Sequence, residues 1–600
     1  MKSVLISQCL QVDFVQSLAQ GEPLPNPLHI GREESKRLLG IDPRNGALTT
    51  FMRWASSTKD LSRIHIRDWH DPDAVDQQTH LQQFGLHCIA NTPGAYFVFE
   101  PAPDDLLINS TTLNDFEKTE LASTLNALIA DQPCRIGLIG VWTEAKILFL
   151  AYELSTRYPQ AKIAVSSALC ASSSRTQHFL ALEQLQRIVG VCVIDSLAEF
   201  ADFLGHEASF VQAKIFNQNL AIATESTLNL SPEAEMLLRY LFRDCKKLTL
   251  TILDGGFSGN LVAAAKSIDH LGREQAPHVV KIGQRQLMAK ERTAFEKVEA
   301  VLGNHAPAIA EYADMETLGA IKYRYAAMGE GQTKTLQHLL QTGISLEKIE
   351  DYLQQLLDAQ LGRFYRAALA ESCDLLEYYC FSSRWAESVK HKIVELIGDC
   401  PEQGNLLLPG GVNCKNLHHF YRDDLPRIQQ WQGDFPFCYV HGDLNWANVM
   451  IDGHNNVWLI DFFHTHHGHL LKDFAKLEND LLYIGTAVNS EADFIQACAL
   501  SDFLLSVDES LQPDVIPHHW SEQFQRCAKL VIFLRKKMLQ YIPPGTENIA
   551  LQWQLAQLRY AVHTIGFDEP NHLQRCWALY TASCLAEKVK VVLMPHKAAI

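Results

Sequence analysis

Short apolar runs and helical stretches alternate through the first two hundred or so residues. VLIS reads as a strand, ALTTFMRWA places Leu48, Phe51, Met52 and Ala55 at helical spacing, and IHIRDW reads as a second strand. RIGLIGVW, the helical ILFLAYEL, AKIAVSS, the helical FLALEQLQRIVG and VCVID continue the series. Such repetition predicts a parallel sheet with helices on both faces, with ligands outside the carboxyl ends of the strands, where DWH, GVW and SSALC fall. After about residue 205 the alternation stops. LSPEAEMLLRYLF opens with a Ser N-cap and Pro at the first helical position. LTLTILDGGFSGNLVAAAKSID and HVVKIG read as strands around a glycine turn, LMAKERTAFEKVEAVL as a long helix, and the stretches from roughly 335 to 400 and from roughly 490 onward as helical. The fold class is α/β: a three-layer domain over 1–205, a linker and helix over 206–244, and two further regions over 245–335 and 336–600.

Length supports that division, since 600 residues exceed one core. A formal charge of -17 argues against a nucleic-acid surface, which needs clustered Lys and Arg. MKSVLISQCLQVDF is too short in its apolar part for a signal peptide and reads as a buried first strand. No run of about 18 apolar residues predicts a membrane span. The 15 cysteines are scattered without CxxC pairs, which predicts reduced thiols and a cytoplasmic location.

YVHGDLNWANVMIDGHNNVWLID, residues 439–461, concentrates the candidate chemistry. Asp443, Asn448 and Asp461 are spaced 5 and 13 apart, and VMI and VWLI flank the turn DGHNN, which predicts a loop followed by a β-hairpin. Phosphoryl transfer requires a glycine lid over phosphates, a Lys to hold them, a carboxylate to orient that Lys, a base and metal ligands. Gly255, Gly256, Ser258 and Gly259 would supply the lid, Lys281 the cation and Glu291 its partner. Asp443 would be the base, and Asn448 and Asp461 would hold Mg²⁺. A glycine turn between strands is common without a phosphate, whereas a structural reading gives no reason for Asp, Asn and Asp at these positions. His464, His466, His467 and His469 in HTHHGH could suggest a metal cluster, but a polar loop accounts for them better, because Asp461 beside them already serves the ion.

VHGDLNWANVMID, WLIDF, VVKIG and the glycine turn resemble the aminoglycoside phosphotransferase and choline kinase branch of the protein-kinase-like fold, over about 245–560. The resemblance implies a two-lobed α+β domain with an N-lobe over 245–335 and a C-lobe over 336–600, ATP and Mg²⁺ as cofactors, and a small-molecule hydroxyl as acceptor. It also implies that Asp473 in LLKDFAKLE anchors the catalytic loop. DFF stands where protein kinases have DFG, so loop switching of the protein-kinase kind is not implied. Kinase-like domains fused into multidomain bacterial conflict systems are similar too, and an effector of that kind is an alternative. Glu347, Glu350 and Asp351 could attract a cationic substrate, although a solvated helix face explains them equally.

IRDWHDP and FGLHCIANTPGAYF bring Asp68, His70 and His87 into one region, where two histidines and a carboxylate could form a metal face or a hydrogen-bonded loop. Together with VLISQCLQVDF and GLIGVWTEAKI, these segments resemble the isochorismatase-like cysteine hydrolases, the nicotinamidase group above all, over about 1–205. The resemblance implies that Asp68, His70 and His87 bind a divalent metal (Zn, Mn or Fe). It places the family's catalytic Asp on Cys9, its Lys near Ser110 and its nucleophilic Cys on Lys146. Amide hydrolysis by that route needs a thiolate and a carboxylate to take its proton. A desolvated Lys146 could attack but would be trapped as a stable amide, and VLISQCLQ offers Cys9 no base. The expectation is a domain that keeps the fold, has lost the hydrolase activity, and serves binding, regulation or homo-oligomer contacts. A small-molecule kinase is the leading functional expectation, and a nucleotide-binding sensor or scaffold, which DFF and the missing triad favour slightly, is the second.

Overall fold

The computed structural model describes residues 1–40, 42–129, 132–206, 218–224, 229–252, 260–302, 308–324, 333–428, 430–506, 511 and 515–594. It divides into two compact units, one of Met1–Ala300 with Ala308–Ala326, the other of Val301–Pro307 with Ala327–Ile600.

In the first unit β1 (Lys2–Gln8), β2 (Leu61–Asp68), β3 (Leu106–Ser110), β4 (Cys134–Val141), β5 (Ala161–Ala171) and β6 (Cys192–Ile194) form a sheet in the order β3-β2-β1-β4-β5-β6. All its pairings are parallel, as the alternation predicted. Both faces are covered, which is why these strands read as continuous apolar runs. Leu5, Ile139 and Val141 point into one core with Phe14, Leu48, Phe51 and Phe200. Val4, Ile6, Ile136 and Leu138 point into the other with Leu150, Ala151 and Leu154. The helix Ala47–Ser57 supplies Leu48 and Phe51 to the first core, and Leu148–Arg157 supplies Leu150, Ala151 and Leu154 to the second.

A second sheet follows: β7 (Ala221–Thr224), β8 (Cys245–Ile252), β9 (Leu261–Asp269), β10 (His278–Gln284), β11 (Ala308–Asp314) and β12 (Leu318–Arg324), ordered β11-β12-β10-β9-β8-β7. The stretch 206–244, expected as linker and helix, therefore takes part in this sheet. β7 pairs parallel with β8, and the helix Pro232–Leu241, capped by Ser231, buries Leu237, Leu238 and Leu241 against Leu248, Leu250, Val280 and Ile282. Because Val280 and Ile282 face this core, Lys281 emerges on the other face, where the helix Arg285–Leu302 lies.

That helix is fastened to the parallel-sheet domain by buried polar groups. Arg292 donates to Asp195 O at 3.0 Å and Ser167 Oγ at 3.3 Å, and Thr293 Oγ1 donates to Asp195 Oδ1 at 2.9 Å. Arg175 donates to Glu296 O at 3.2 Å and pairs with Glu34 at 2.6 Å. On β11, Asp314 accepts from Ser196 Oγ and Tyr312 OH.

The second unit contains β13 (Lys334–Thr335), β14 (Leu369–Asp374), β15 (Asn405–Leu407), β16 (Asn413–Lys415), β17 (Gln432–Val440), β18 (Val449–Ile451), β19 (Val457–Leu459) and β20 (His466–His469). They form small sheets ordered β13-β18-β19, β14-β17-β20 and β15-β16. β13 pairs with β18, so Lys334 and Thr335 belong with this unit rather than with the region before it. The expected helical stretch near 335–400 is interrupted by β14, whose first four residues are exposed and show no apolar alternation. From 491 on, the helices Glu491–Leu505, Glu522–Leu539, Ile549–Thr564 and His572–Leu593 match the pattern. Among the described residues no helix is long and apolar enough to cross a membrane.

Candidate functional site

The first constellation lies at the carboxyl ends of β2, β3 and β4. Gln11 fixes the end of β2 by accepting from Asp68 N at 2.8 Å and donating to Asp68 O at 2.7 Å. Asp68 Oδ2 then lies 3.9 Å from His70 Nε2 and 3.7 Å from His87 Nε2. His70 Nδ1 donates to Gln77 Oε1 at 3.0 Å and His87 Nδ1 to Gly85 O at 2.8 Å. Because carbonyl oxygens only accept, both rings present a bare Nε2 inward, and these two buried atoms have no hydrogen-bond partner. A third imidazole joins them: His80 of the helix Gln78–Phe84 stacks on His70 at 5.0 Å, and one nitrogen from each of His70, His80 and His87 lies within 4.8 Å of the others. Burial, reinforced by His70, pushes the His80 pKa down to about 4, so this ring too is a neutral donor at physiological pH. Three imidazoles and a carboxylate fit a borderline divalent cation such as Zn²⁺, Fe²⁺ or Mn²⁺, and the outer partners Gln77 and Gly85 orient two of the rings. His80 was missed in the sequence, where QTHLQQF carries no spacing signal linking it to Asp68.

Lys146 is an ammonium held by acceptors. Its Nζ lies 2.9 Å from Asp68 Oδ1 and 2.8 Å from Asp115 Oδ1, and donates to Thr112 O at 2.6 Å and Ser110 Oγ at 3.3 Å. Burial alone would lower the lysine pKa, but Asp115 and Asp68 outweigh it and hold the group protonated. A desolvated nucleophilic Lys146 is therefore corrected: a protonated amine has no lone pair with which to attack. Ser110 is a partner of that ammonium. Cys9, buried at the end of β1, sits 3.5 Å from Asp68 Oδ1, and burial together with the Asp68 charge raises its thiol well above the ordinary range. No thiolate forms there. Asp68 itself is pulled well below the usual carboxylate range, because the Lys146 ammonium overcomes its desolvation.

On the second sheet Lys281 Nζ lies 2.7 Å from Glu291 Oε2, the pairing expected from their offset, and Tyr323 OH donates to Glu291 Oε1 at 2.9 Å. Both partners are buried. Gly255, Gly256, Ser258 and Gly259 lie outside the described residues.

In the second unit the predicted loop and hairpin are present. Val449 pairs with Leu459 and Ile451 with Val457, while Asp452 Oδ1 accepts from the N–H groups of His454 and Asn456 and so closes the turn. Asp473 accepts from His441 N and Gly442 N, both at 2.8 Å, and from Tyr365 OH at 3.0 Å. The loop is thus anchored as the resemblance implied. Gly442 has φ +85°, and a Cβ there would stand 2.1 Å from His464 O, so only glycine fits between the loop and the segment after the hairpin. Asn448 is fixed through its N–H to Asn445 Oδ1 at 2.8 Å and its Nδ2 to Asp443 O at 3.0 Å. Ile460 N donates to Asn448 O at 3.0 Å and Ile460 O meets His441 Nε2 at 3.0 Å, which brings Asp461, in the left-handed region at φ 65°, beside Asn448. The Asp443 side chain remains 31% exposed. Three of the four histidines of HTHHGH are spent on the protein: His466 on Tyr378 and His464 O, His469 on Tyr379 and Gln552, His467 on Glu371. Among the described residues, His70, His80 and His87 form the one group of three His, Cys, Asp or Glu side chains whose ligand atoms converge closely enough to share a metal.

The parallel sheet with this Asp–His–His face is an isochorismatase domain, and the corresponding family model matches residues 38–196. The larger part of the chain has its own affiliation. The family described as Ternary complex associated domain 9 matches residues 245–402 and 392–566, more than half of the sequence, and the chain belongs to that family. Solved structures similar to the first domain include an isochorismatase-like hydrolase from Alkaliphilus metalliredigens, at 19% identity over 34% of this chain and 98% of that one, with a TM-score of 0.28. The nicotinamidase/pyrazinamidase from Bacillus subtilis is similar at 20% identity over 32% and 99%, TM-score 0.26. The pyrazinamidase of Pyrococcus horikoshii in complex with zinc is similar at 22% over 32% and 99%, TM-score 0.26. No curated protein matches the chain.

Proposed function

We propose that the chain is an ATP- and Mg²⁺-dependent phosphotransferase acting on a hydroxyl of a small molecule, fused to a degenerate isochorismatase-like domain with a binding or regulatory role. The observation that carries this reading is the segment 441–461, where the buried carboxylate of Asp473 clamps the backbone beside a half-buried Asp443 and a hairpin returns Asp461 to Asn448. Asp443 would accept the proton of the acceptor hydroxyl as its oxygen bonds to the γ-phosphorus and the bond to the β-γ bridging oxygen breaks, releasing ADP. Asn448 and Asp461 would hold Mg²⁺, which neutralises phosphate charge when bound. Lys281, oriented by Glu291, would hold the phosphates. The first domain would bind a divalent metal through Asp68, His70, His80 and His87, and its grip on the helix of Glu291 supports a regulatory part.

Purified full chain with Mg·ATP and a panel of hydroxyl compounds should release ADP in a compound-dependent way, with the rate reduced by at least about 10²-fold in Asp443→Asn. Heat of ATP binding without turnover would favour the sensor reading, which the phenylalanine at Phe463 and the ammonium at Lys146 both suit. Labelled protein in place of labelled compound would favour a protein substrate. Chelator-stripped protein should rebind one Zn²⁺ per chain, and His80→Ala should weaken it at least tenfold, roughly the smallest effect that loss of even an outer partner brings. An unchanged affinity in the variant would remove His80 from the site.

A further inference from the structure

One helix face holds the whole loop that carries Asp443. Asp473, Lys476 and Asp480 stand at i, i+3 and i+7 of the helix Leu471–Asp480 and leave it on the same side. Asp473 takes the backbone N–H groups of His441 and Gly442, and Trp446 donates its indole N–H to Leu477 O at 2.8 Å from the other end of the loop. Between these anchors Lys476 Nζ lies 3.6 Å from Asp443 Oδ1 and 3.0 Å from Asp480 Oδ1. Asp480 also accepts from Asn479 Nδ2 at 3.1 Å, and Asn479 donates to Thr564 Oγ1 at 2.9 Å, so Lys476 is moored in a buried network. Burial opposes its charge, but Asp480 and Asp443 prevail and keep it an ammonium. The second oxygen of Asp443 accepts from Asn445 Nδ2 at 3.2 Å.

The geometry points to Lys476 as a positioning residue for the base Asp443, a role that rests on the phosphotransferase reading. At 3.6 Å the ammonium attracts the carboxylate without occupying a lone pair in a short hydrogen bond. With Asn445 on the other oxygen, it fixes the carboxylate plane and leaves the exposed edge for the acceptor hydroxyl. Lys476 itself exchanges no proton: Asp443 takes the hydroxyl proton, the acceptor oxygen bonds to phosphorus, and ADP departs with the electron pair of the broken P–O bond. If Lys476 served only Asp480, its loss would lower stability and leave turnover per folded molecule unchanged.

The test measures ADP release from Mg·ATP with water as acceptor in the full chain, normalised to the folded fraction from a thermal melt. Lys476→Met is expected to lower kcat roughly 10- to 100-fold, the cost of a misplaced catalytic group, with KM for Mg·ATP within about twofold. Lys476→Arg should keep most of kcat, and in an Asp443→Asn background Lys476→Met should cost almost nothing further. A full kcat in Lys476→Met, a change in KM alone, or an equal loss in both backgrounds overturns the role. Should Lys476→Met fail to fold, Lys476→Gln carries the same comparison. Wild-type protein that binds Mg·ATP, turns over and depends on Asp443 while ignoring Lys476 removes this role alone; wild-type protein that neither binds nor turns over removes the parent reading with it.

Discussion

Lys146→Met will lower the stability of the isochorismatase domain by about 3–5 kcal/mol at neutral pH, the usual cost of stripping one partner from a buried ion pair. Its ammonium lies within 2.9 Å of both Asp68 and Asp115, and all three side chains are at most 5% exposed. Methionine fills the space but leaves two carboxylates facing one another with no water to separate them. The melting midpoint of this unit should fall by roughly 10 °C in chelator-treated protein. The pH dependence identifies the cause. Asp68 has a folded pKa well below its unfolded value, so its contribution to wild-type stability is present above about pH 4 and is lost as the pH falls through the folded value. The variant lacks that contribution, so the gap between the two proteins should hold from pH 7 down to about pH 4 and narrow below it, as the pH falls through the folded value. Adding Asp115→Asn to Lys146→Met removes the repulsion and should recover about half of the loss. A variant within about 1 kcal/mol of wild type at pH 7 would mean that the ammonium is dispensable, and the account of this site would fail.

How much of this could be read beforehand follows from what each residue needs. Strands β1, β2, β4 and β5 were legible because a sheet covered on both faces demands runs such as VLIS and RIGLIGV. β3 was not, since Leu106 and Leu107 are exposed and LLINS competes with neighbouring loop chemistry. The Lys281–Glu291 pair was legible from the strand alternation and the offset of ten, whereas the Asp473 anchor, reaching some thirty residues back, was given only by the resemblance. His80 and Asp115 reach their site only after distant segments fold back, and no periodicity marks them. Asp115 becomes inevitable once Lys146 is known to be buried, because a buried cation requires carboxylates. Lys476 hid in FAKLEND, which reads as an ordinary amphipathic turn, although the structure buries both Lys476 and Asp480. The helix Pro232–Leu241 was legible from its Ser–Pro start, whereas the four residues of β7 carry too little pattern to announce a sheet.

The helix that holds the Asp443 loop is itself fastened from behind, and Arg535→Met should release it. Glu478, on the face away from Lys476, receives Arg535 in a two-pronged pair at 2.9 and 2.6 Å, with side-chain exposures of 1% and 2%. The same guanidinium donates to Leu504 O at 2.9 Å and Leu511 O at 3.3 Å, so one side chain joins three segments of the second unit. Removing it leaves a buried carboxylate and two carbonyls without donors, for an expected loss of about 3–5 kcal/mol. Lys146→Met and Arg535→Met should then lower different transitions in a melt of the full chain, since each acts within its own unit. Glu478→Leu combined with Arg535→Met should recover most of the loss, because a matched apolar pair needs no donors. Recovery without return of ADP release would show that the pair aims the loop as well as holding the helix, whereas an Arg535→Met protein that melts with wild type would place the fastening elsewhere.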